Sequence, residues 1–375
     1  MKYIGNKQRL LHFIDSVIES ENLPQQGIFI DIFTGTTNVA QHYKKKGYRI
    51  ISNDFMTYSY VFQQAYIKNN QFPKFNSLLQ SKYFKINPVL LDNKYEPLRI
   101  VVDYLNKLCG KKGFIYRHYA PAGEYKRKFF SNENAMRIDA TREQLHKWKD
   151  EGLLNESEFY ILLASLIDAA DFVANISGTY GAYLKIWRSM ALKPFTMIVP
   201  NLIESNLEHQ VYKDDSNKII DDLTGDILYI DPPYNSRQYA ANFHILETLA
   251  CWDKPKVYGK TGLRPYEEKK SVYSQKSKCE EFFAELIAKA RANYILMSYN
   301  NEGIIPHDFI IKTLSKRGDV RVYTRDYRRF RTERDHENRH YKVRDDRVQE
   351  NIYVARIKQP VHSKAVKTER IYEFV

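Results

Sequence analysis

Short apolar runs that end in an acid recur along this chain. Residues 28–33 (Ile-Phe-Ile-Asp-Ile-Phe) form one, residues 48–52 lead into Asn53-Asp54, and residues 226–230 lead into Asp231. Runs this short, with no polar face, predict strands of a sheet covered on both sides. Stretches of helical character lie between them: residues 8–18, which are amphipathic, then 39–46, 243–251, 279–292 and 307–316. Further strands are expected at 294–297, 320–327 and 351–357, the last two as an antiparallel hairpin with a charged tip. The alternation predicts an α/β fold, a mostly parallel sheet closed by a C-terminal antiparallel hairpin. It fails between about residues 71 and 210, which marks an insertion between two halves of one sheet (1–70 and 211–375). Within the insertion, residues 157–174 predict an amphipathic helix.

The strand ends carry the candidate chemistry. After residues 226–230 comes Asp231-Pro232-Pro233-Tyr234. Proline has no N–H and a fixed φ, so the strand stops there and the chain turns rigidly. The corner sets a carboxylate beside carbonyls that no strand neighbour claims, next to an aromatic ring. That set suits a flat heterocycle with an exocyclic amine: the acid and a carbonyl accept its two protons and the ring stacks on its face. After Asp31 the sequence Thr34-Gly35-Thr36-Thr37-Asn38 leads into a helix. Gly35 permits a tight turn and close approach to a ligand, and the helix N-terminus leaves N–H groups free. An acid at the end of the second strand, here Asp54, roughly 20 residues after the first, is how a βαβ nucleotide site holds ribose hydroxyls. Acids that only cap loops would look the same at Asp31 and Asp54.

Charge narrows the partners. The 375 residues carry a formal net charge of +13, with 58 Lys and Arg beside 29 Tyr. Cations hold phosphates and aromatics stack on bases, which favours nucleic acid. In the insertion, Tyr116-Arg117-His118-Tyr119, Lys126-Arg127-Lys128, Arg137 and Arg142 mark a target-recognition region, another part of it being expected to act as a helical lid that shapes the ligand pocket, with residues 175–185 placed near the nucleic acid rather than in a core. The cluster Arg325–Arg334, within nine arginines between Arg321 and Arg347, suggests a phosphate clamp. No run of roughly 18 apolar residues occurs, so no membrane span is expected. Cys109, Cys251 and Cys279 are too scattered for a zinc site, and Cys251 is expected to be buried on a helix rather than to act as a nucleophile.

Together these pieces resemble the D12 class of adenine-N6 DNA methyltransferases, the class of the Dam-type enzymes, and within it the FokI-type modification enzymes. The matching stretches are Tyr3-Ile-Gly-Asn-Lys7, Asp31-Ile-Phe-Thr-Gly-Thr36, Asn53-Asp54, Asn175 to Lys185, Asp231 to Tyr234, Arg237-Gln-Tyr239, Asn242 to Glu247, and Ser298-Tyr-Asn300. The resemblance implies a Rossmann-like methyltransferase fold and S-adenosylmethionine as methyl donor. It places Tyr3 and Lys7 beside the donor, with Lys7 on its carboxylate, Asp31, Phe33 and Gly35 beneath it, Asp54 on its ribose and Asp214 on its adenine. Asp231, Pro232, Pro233 and Tyr234 are then the catalytic corner, acting without a metal on an adenine flipped from double-stranded DNA. It also implies a cytoplasmic bacterial or phage-encoded protein, a monomer on DNA, with a separately acting cognate restriction endonuclease. Methylation of RNA adenine or of cytosine N4, or binding of nucleic acid without catalysis, are the alternatives.

Overall fold

The computed structural model describes residues 7–328 and 347–358. One sheet holds seven strands: β1 (Ile28–Asp31), β2 (Arg49–Asn53), β3 (Gln210–Tyr212), β4 (Thr224–Ile230), β5 (Arg291–Asn300), β6 (Gly318–Arg328) and β7 (Arg347–Ile357). Their order is β3-β2-β1-β4-β5-β7-β6. The first five are parallel, and β7 runs antiparallel between β5 and β6. The Rossmann-like sheet and its C-terminal hairpin therefore stand as the apolar runs predict. β3 is the exception: Gln210-Val211-Tyr212 is too short and too polar to announce itself, and it forms because β2 offers it a parallel edge.

Around the sheet lie helices α1 (Leu11–Ser20), α2 (Asn38–Lys45), α3 (Thr57–Phe62), α4 (Asn132–Asp150), α5 (Glu156–Phe172), α6 (His244–Cys251), α7 (Cys279–Lys289) and α8 (His307–Ser315). Successive strand residues point to opposite faces. Phe29, Ile227, Leu296 and Ile352 bury against Phe13, Ile14 and Val17 of α1 and Tyr43 of α2. Their neighbours Ile30, Leu228, Ile295 and Tyr353 bury against Phe283 and Leu286 of α7 and Ile310 of α8. Both faces being covered is why the runs show no polar alternation. Phe29 stacks on Tyr43 with ring centroids 4.2 Å apart, which fixes α2 over β1 and so fixes the loop between them.

A second core is helical. It runs continuously from Met56 and Tyr58, through the 71–210 region, to Phe243 and Trp252 of the α6 segment. α5 is its centre and is buried nearly all round, Phe159, Ile161, Leu162, Leu163, Leu166 and Ile167 included. The amphipathic helix expected at 157–174 is therefore corrected: packing against α3, α4 and α6 leaves it no solvent face. Residues 175–185 also differ from expectation. Asn175, Ile176 and Tyr180 lie inside the core, Asn175 bonding the Lys128 and Leu184 carbonyls and Tyr180 donating to Asp171, and only Gly181, Ala182 and Lys185 are exposed.

Three insertion cations turn inward too. Arg127 is buried and donates to the carbonyls of His118, Gly259 and Lys260. Arg142 is buried, donates to the Leu249 carbonyl at the end of α6 and lies 5.1 Å from the Trp252 ring. Arg137 reaches the Asn106 carbonyl. The Arg127 and Arg142 guanidinium groups clamp backbone and are not available to phosphates, whereas Arg137 is half-buried. Cys251 is the last residue of α6 and is exposed, not buried as expected. Of the arginine cluster, Arg325 is exposed, while positions 329–334 lie outside the described residues; Arg321 is spent on Glu21 at 3.3 Å. Among the described residues no helix is long and apolar enough to cross a membrane.

Candidate active site

From β1 the chain moves outward to β2 and β3, then returns to β4 and β5 on the other side. The strand order reverses between β1 and β4, and ligands of open α/β sheets bind at the carboxyl ends flanking such a reversal. A solvent-open cavity of about 1050 Å³ lies there. Lys7, Asp31, Phe33, Gly35, Asp54, Asp214, Asp231 and Pro233 all line it. Tyr3 lies outside the described residues.

Asp31 ends β1 and is fully enclosed. Its Oδ2 accepts from the Thr34 hydroxyl (3.0 Å), whereas Oδ1 is buried without a hydrogen-bond partner among the described residues. Burial, reinforced by the charges of Asp231 and Asp54, pushes its carboxyl up to about 8. The loop beyond it is held in an uncommon conformation, with Gly35 at φ 53° and Thr37 at φ 64°. Left-handed backbone costs a threonine on the order of 1 kcal/mol and persists only where surroundings enforce it. Asp54 is the enforcer: its Oδ2 accepts from the Gly35 N–H and its Oδ1 from the Met56 N–H, both at 2.9 Å. Each oxygen keeps a further lone pair for a ligand.

Asn53 clamps the neighbouring strand ends. Its amide donates to the carbonyls of Ile32 and Asp214 and its oxygen accepts from the Asp214 N–H. That clamp brings Asp214 to the cavity wall. Asp215 also lines the wall, but its side chain caps the helix Ser216–Ile219 by accepting from the Asn217 N–H. Phe33, edge-on to Tyr273 at 5.0 Å, closes the same side.

At the end of β4, the Asp231 corner is arranged differently from expectation. Tyr234 is half-buried, with the Lys7 ammonium over its ring 4.5 Å from the centroid. Its hydroxyl bonds Asp231 Oδ1 (2.6 Å) and Glu350 Oε1 (2.8 Å), and its ring meets Tyr299 edge-on at 4.9 Å. Lys7 is buried, and its ammonium lies 3.3 Å from Asp231 and 2.5 Å from Glu350 and also contacts the Tyr234 hydroxyl. Lys7 is here paired with two protein carboxylates. Burial alone would lower the Lys7 ammonium; the charges of Asp231 and Glu350 outweigh it and raise it. Burial pushes the Asp231 carboxyl up to about 6 even against the opposing charge of Lys7. Pro232 is buried, and no hydrogen bond to its carbonyl occurs among the described residues.

Glu350 is the residue that sequence reasoning missed. It opens the apolar run of β7, and because β7 is antiparallel to β5, that opening lies beside the carboxyl end of β5, where Glu350 pairs with Asn300 in register and accepts from the Ser298 hydroxyl at 2.8 Å. The available signal was an acid placed directly against a buried run. Glu247 was overlooked as well; buried on α6, it accepts from the N–H groups of Thr57 and Tyr58 and so fastens the start of α3 behind the cavity.

Comparison with known proteins bears on what this site does. A sequence model of the D12 class N6 adenine-specific DNA methyltransferases matches residues 3–306. The chain is 41% identical over 335 residues to the type II methyltransferase M.FokI of Planomicrobium okeanokoites, an alignment covering 88% of this chain and 50% of that protein. It is 38% identical over 348 residues to the type II methyltransferase M.NlaIII of Neisseria lactamica, covering 92% and 96%. It is 31% identical over 337 residues to the type II methyltransferase M.CviAII of Paramecium bursaria Chlorella virus 1, covering 88% and 93%. The chain therefore spans about half the length of M.FokI and nearly all of the other two. With that match across most of its length, and the Asp-Pro-Pro-Tyr corner standing where the sheet order reverses, the chain belongs to the D12 class N6 adenine-specific DNA methyltransferase family.

Proposed function

We propose that this chain transfers a methyl group from S-adenosylmethionine to the N6 amine of an adenine in double-stranded DNA, as the modification partner of a restriction system in which a separate endonuclease cuts unmodified sites. The observation that carries this reading is the convergence of Asp31, Asp54 and Asp231 on one cavity at the β1–β4 reversal. The residues present suit the donor. Asp31 Oδ1 is a buried acceptor lacking a partner among the described residues, matched to a donor's ammonium, and Asp54 retains lone pairs for a diol. Asp214, Gly35 and Phe33 supply a carboxylate, an open backbone and a ring for the remainder. When bound, the donor supplies an electrophilic methyl group on a sulfonium.

The protein's own part is to hold an amine still and polarise it. The adenine N6 lone pair is delocalised into the ring and is a poor nucleophile. Asp231, ionised above about pH 6, and the Pro232 carbonyl, unpartnered among the described residues, accept its two hydrogens and localise that lone pair. Holding the reacting groups in register contributes several kcal/mol, up to roughly 7–11 in ideal cases. Tyr234 leaves its inward position to stack on the base. A paired adenine cannot reach this corner, so it leaves the duplex at a cost of a few kcal/mol.

The 71–210 region serves in target recognition, with the chain acting as a monomer on DNA. Supporting this, exposed Arg117, Lys126, Lys256 and Lys260 surround His118 and Tyr125, whose rings stack with centroids 5.1 Å apart. Incubation with duplex DNA and methyl-labelled S-adenosylmethionine, followed by nucleoside mass spectrometry and mapping of modified positions, tests the reading. N6-methyladenine at one recurrent sequence is the expected outcome; N4-methylcytosine, or label in RNA alone, would refute it.

A further inference from the structure

The catalytic corner holds one ammonium between two carboxylates, and one of those carboxylates comes from far along the chain. Lys7 Nζ is 3.3 Å from Asp231 Oδ1 and 2.5 Å from Glu350 Oε1. The Tyr234 hydroxyl sits between the same two acids, at 2.6 and 2.8 Å. Glu350 accepts in addition from Ser298, and only 4% of its surface is exposed. We propose that Glu350 is a positioning residue of the methyl-transfer site, taking up the Lys7 ammonium and the Tyr234 hydroxyl so that Asp231 keeps lone pairs free to accept from the target amine. This rests on Asp231 receiving that amine.

The charge count explains why a second acid is needed. Paired with Asp231 alone, a buried Lys7 would neutralise it and occupy its lone pairs. With Glu350 present the cluster keeps one net negative charge, and the shorter contact draws the ammonium away from Asp231. Glu350 also retains partners when Tyr234 swings out to meet a base, because Lys7 and Ser298 still hold it. Its strand gives it rigidity: β7 lies between β5 and β6 and cannot shift without breaking both ladders.

The other ionisable groups facing Asp231 are Asp31 from β1, Tyr229 on β4, and Tyr239 beyond the corner. Burial raises the Asp231 carboxyl most; Lys7 and the Tyr234 hydroxyl lower it, and Glu350 raises it again. Removing only the Glu350 charge must therefore lower it.

Glu350→Gln is the discriminating variant, since the amide keeps an acceptor oxygen and drops the charge. In the intact chain kcat should fall about tenfold, with KM for S-adenosylmethionine changed by less than about twofold. The acid limb of kcat should move to lower pH by about one pH unit, the size expected for loss of a neighbouring charge. Glu350→Asp, which keeps the charge, should leave that limb in place. Carbon-13 NMR of the Asp231 carboxyl, without donor or DNA, gives a reading independent of turnover: its midpoint should fall in Glu350→Gln. If the glutamine variant does not fold, Lys7→Met tests the opposite sign, and the Asp231 midpoint should rise. Coincident midpoints and pH profiles in wild type and variant would overturn the proposal, even if turnover fell. Shifted midpoints with no methyladenine made by the wild type would instead refute the proposed activity and leave the coupling of Glu350 to Asp231 standing.

Discussion

Two regions of this protein bury cations, and they do so for different purposes. At the Asp231 corner Lys7 is enclosed by two carboxylates and a phenol, so its charge acts on groups that titrate. In the helical region Arg127 and Arg142 are enclosed by carbonyls, so their charge ties loops and a helix end together. A buried cation thus reports its role through its partner: acids mark electrostatic work, and backbone oxygens mark a clamp. Arg127 and Arg142 are therefore removed from the cations that favour nucleic acid, whereas exposed ones such as Arg117 and Lys256 beside His118 and Tyr125, and Arg325 on β6, can reach phosphates.

That contrast can be broken experimentally. The largest effect is expected at the corner. Asp231→Asn should reduce methyl transfer at least about a hundredfold, the usual minimum for loss of a preorganised polar contact to the reacting group, while donor affinity by calorimetry stays measurable; near-normal turnover would refute the corner's role. Next is Arg142→Met, which leaves the Leu249 carbonyl unpaired inside the protein and should cost about 1–3 kcal/mol in urea unfolding, without altering the salt dependence of DNA binding. An altered salt slope would make Arg142 a phosphate contact after all. The smallest effects belong to exposed cations. Arg117→Ala and Lys256→Ala should each reduce the salt slope by about 1 and leave stability unchanged; an unchanged slope would move the DNA elsewhere.

The legible part of the molecule was the part with short, doubly buried strands. Residues 28–33 and 226–230 announce themselves because both faces are covered, and the acids that follow them fall on one cavity because parallel strands end on the same side. Glu350 was not legible, since its approach to Asp231 depends on β7 running antiparallel to β5, a pairing that brings together residues more than a hundred positions apart in the chain. The burial of α5 and of Asn175 was hidden for a related reason. A hydrophobic helix with a few scattered acids looks amphipathic until its neighbours are known, and Tyr66 and Tyr180 satisfy two of those acids, Asp168 and Asp171. Arg127 and Arg142 misled because an arginine beside aromatics has the same local sequence whether it faces phosphate or carbonyl.

The central claim is that one cavity at the β1–β4 reversal holds the methyl donor against the Asp231 corner. A crystal structure of the chain with a non-transferable S-adenosylmethionine analogue tests it most directly. The account predicts the analogue's ammonium on Asp31, its ribose on Asp54 and its sulfonium-equivalent atom facing Asp231. An analogue bound elsewhere, or bound with Asp231 walled off from it, would contradict the account.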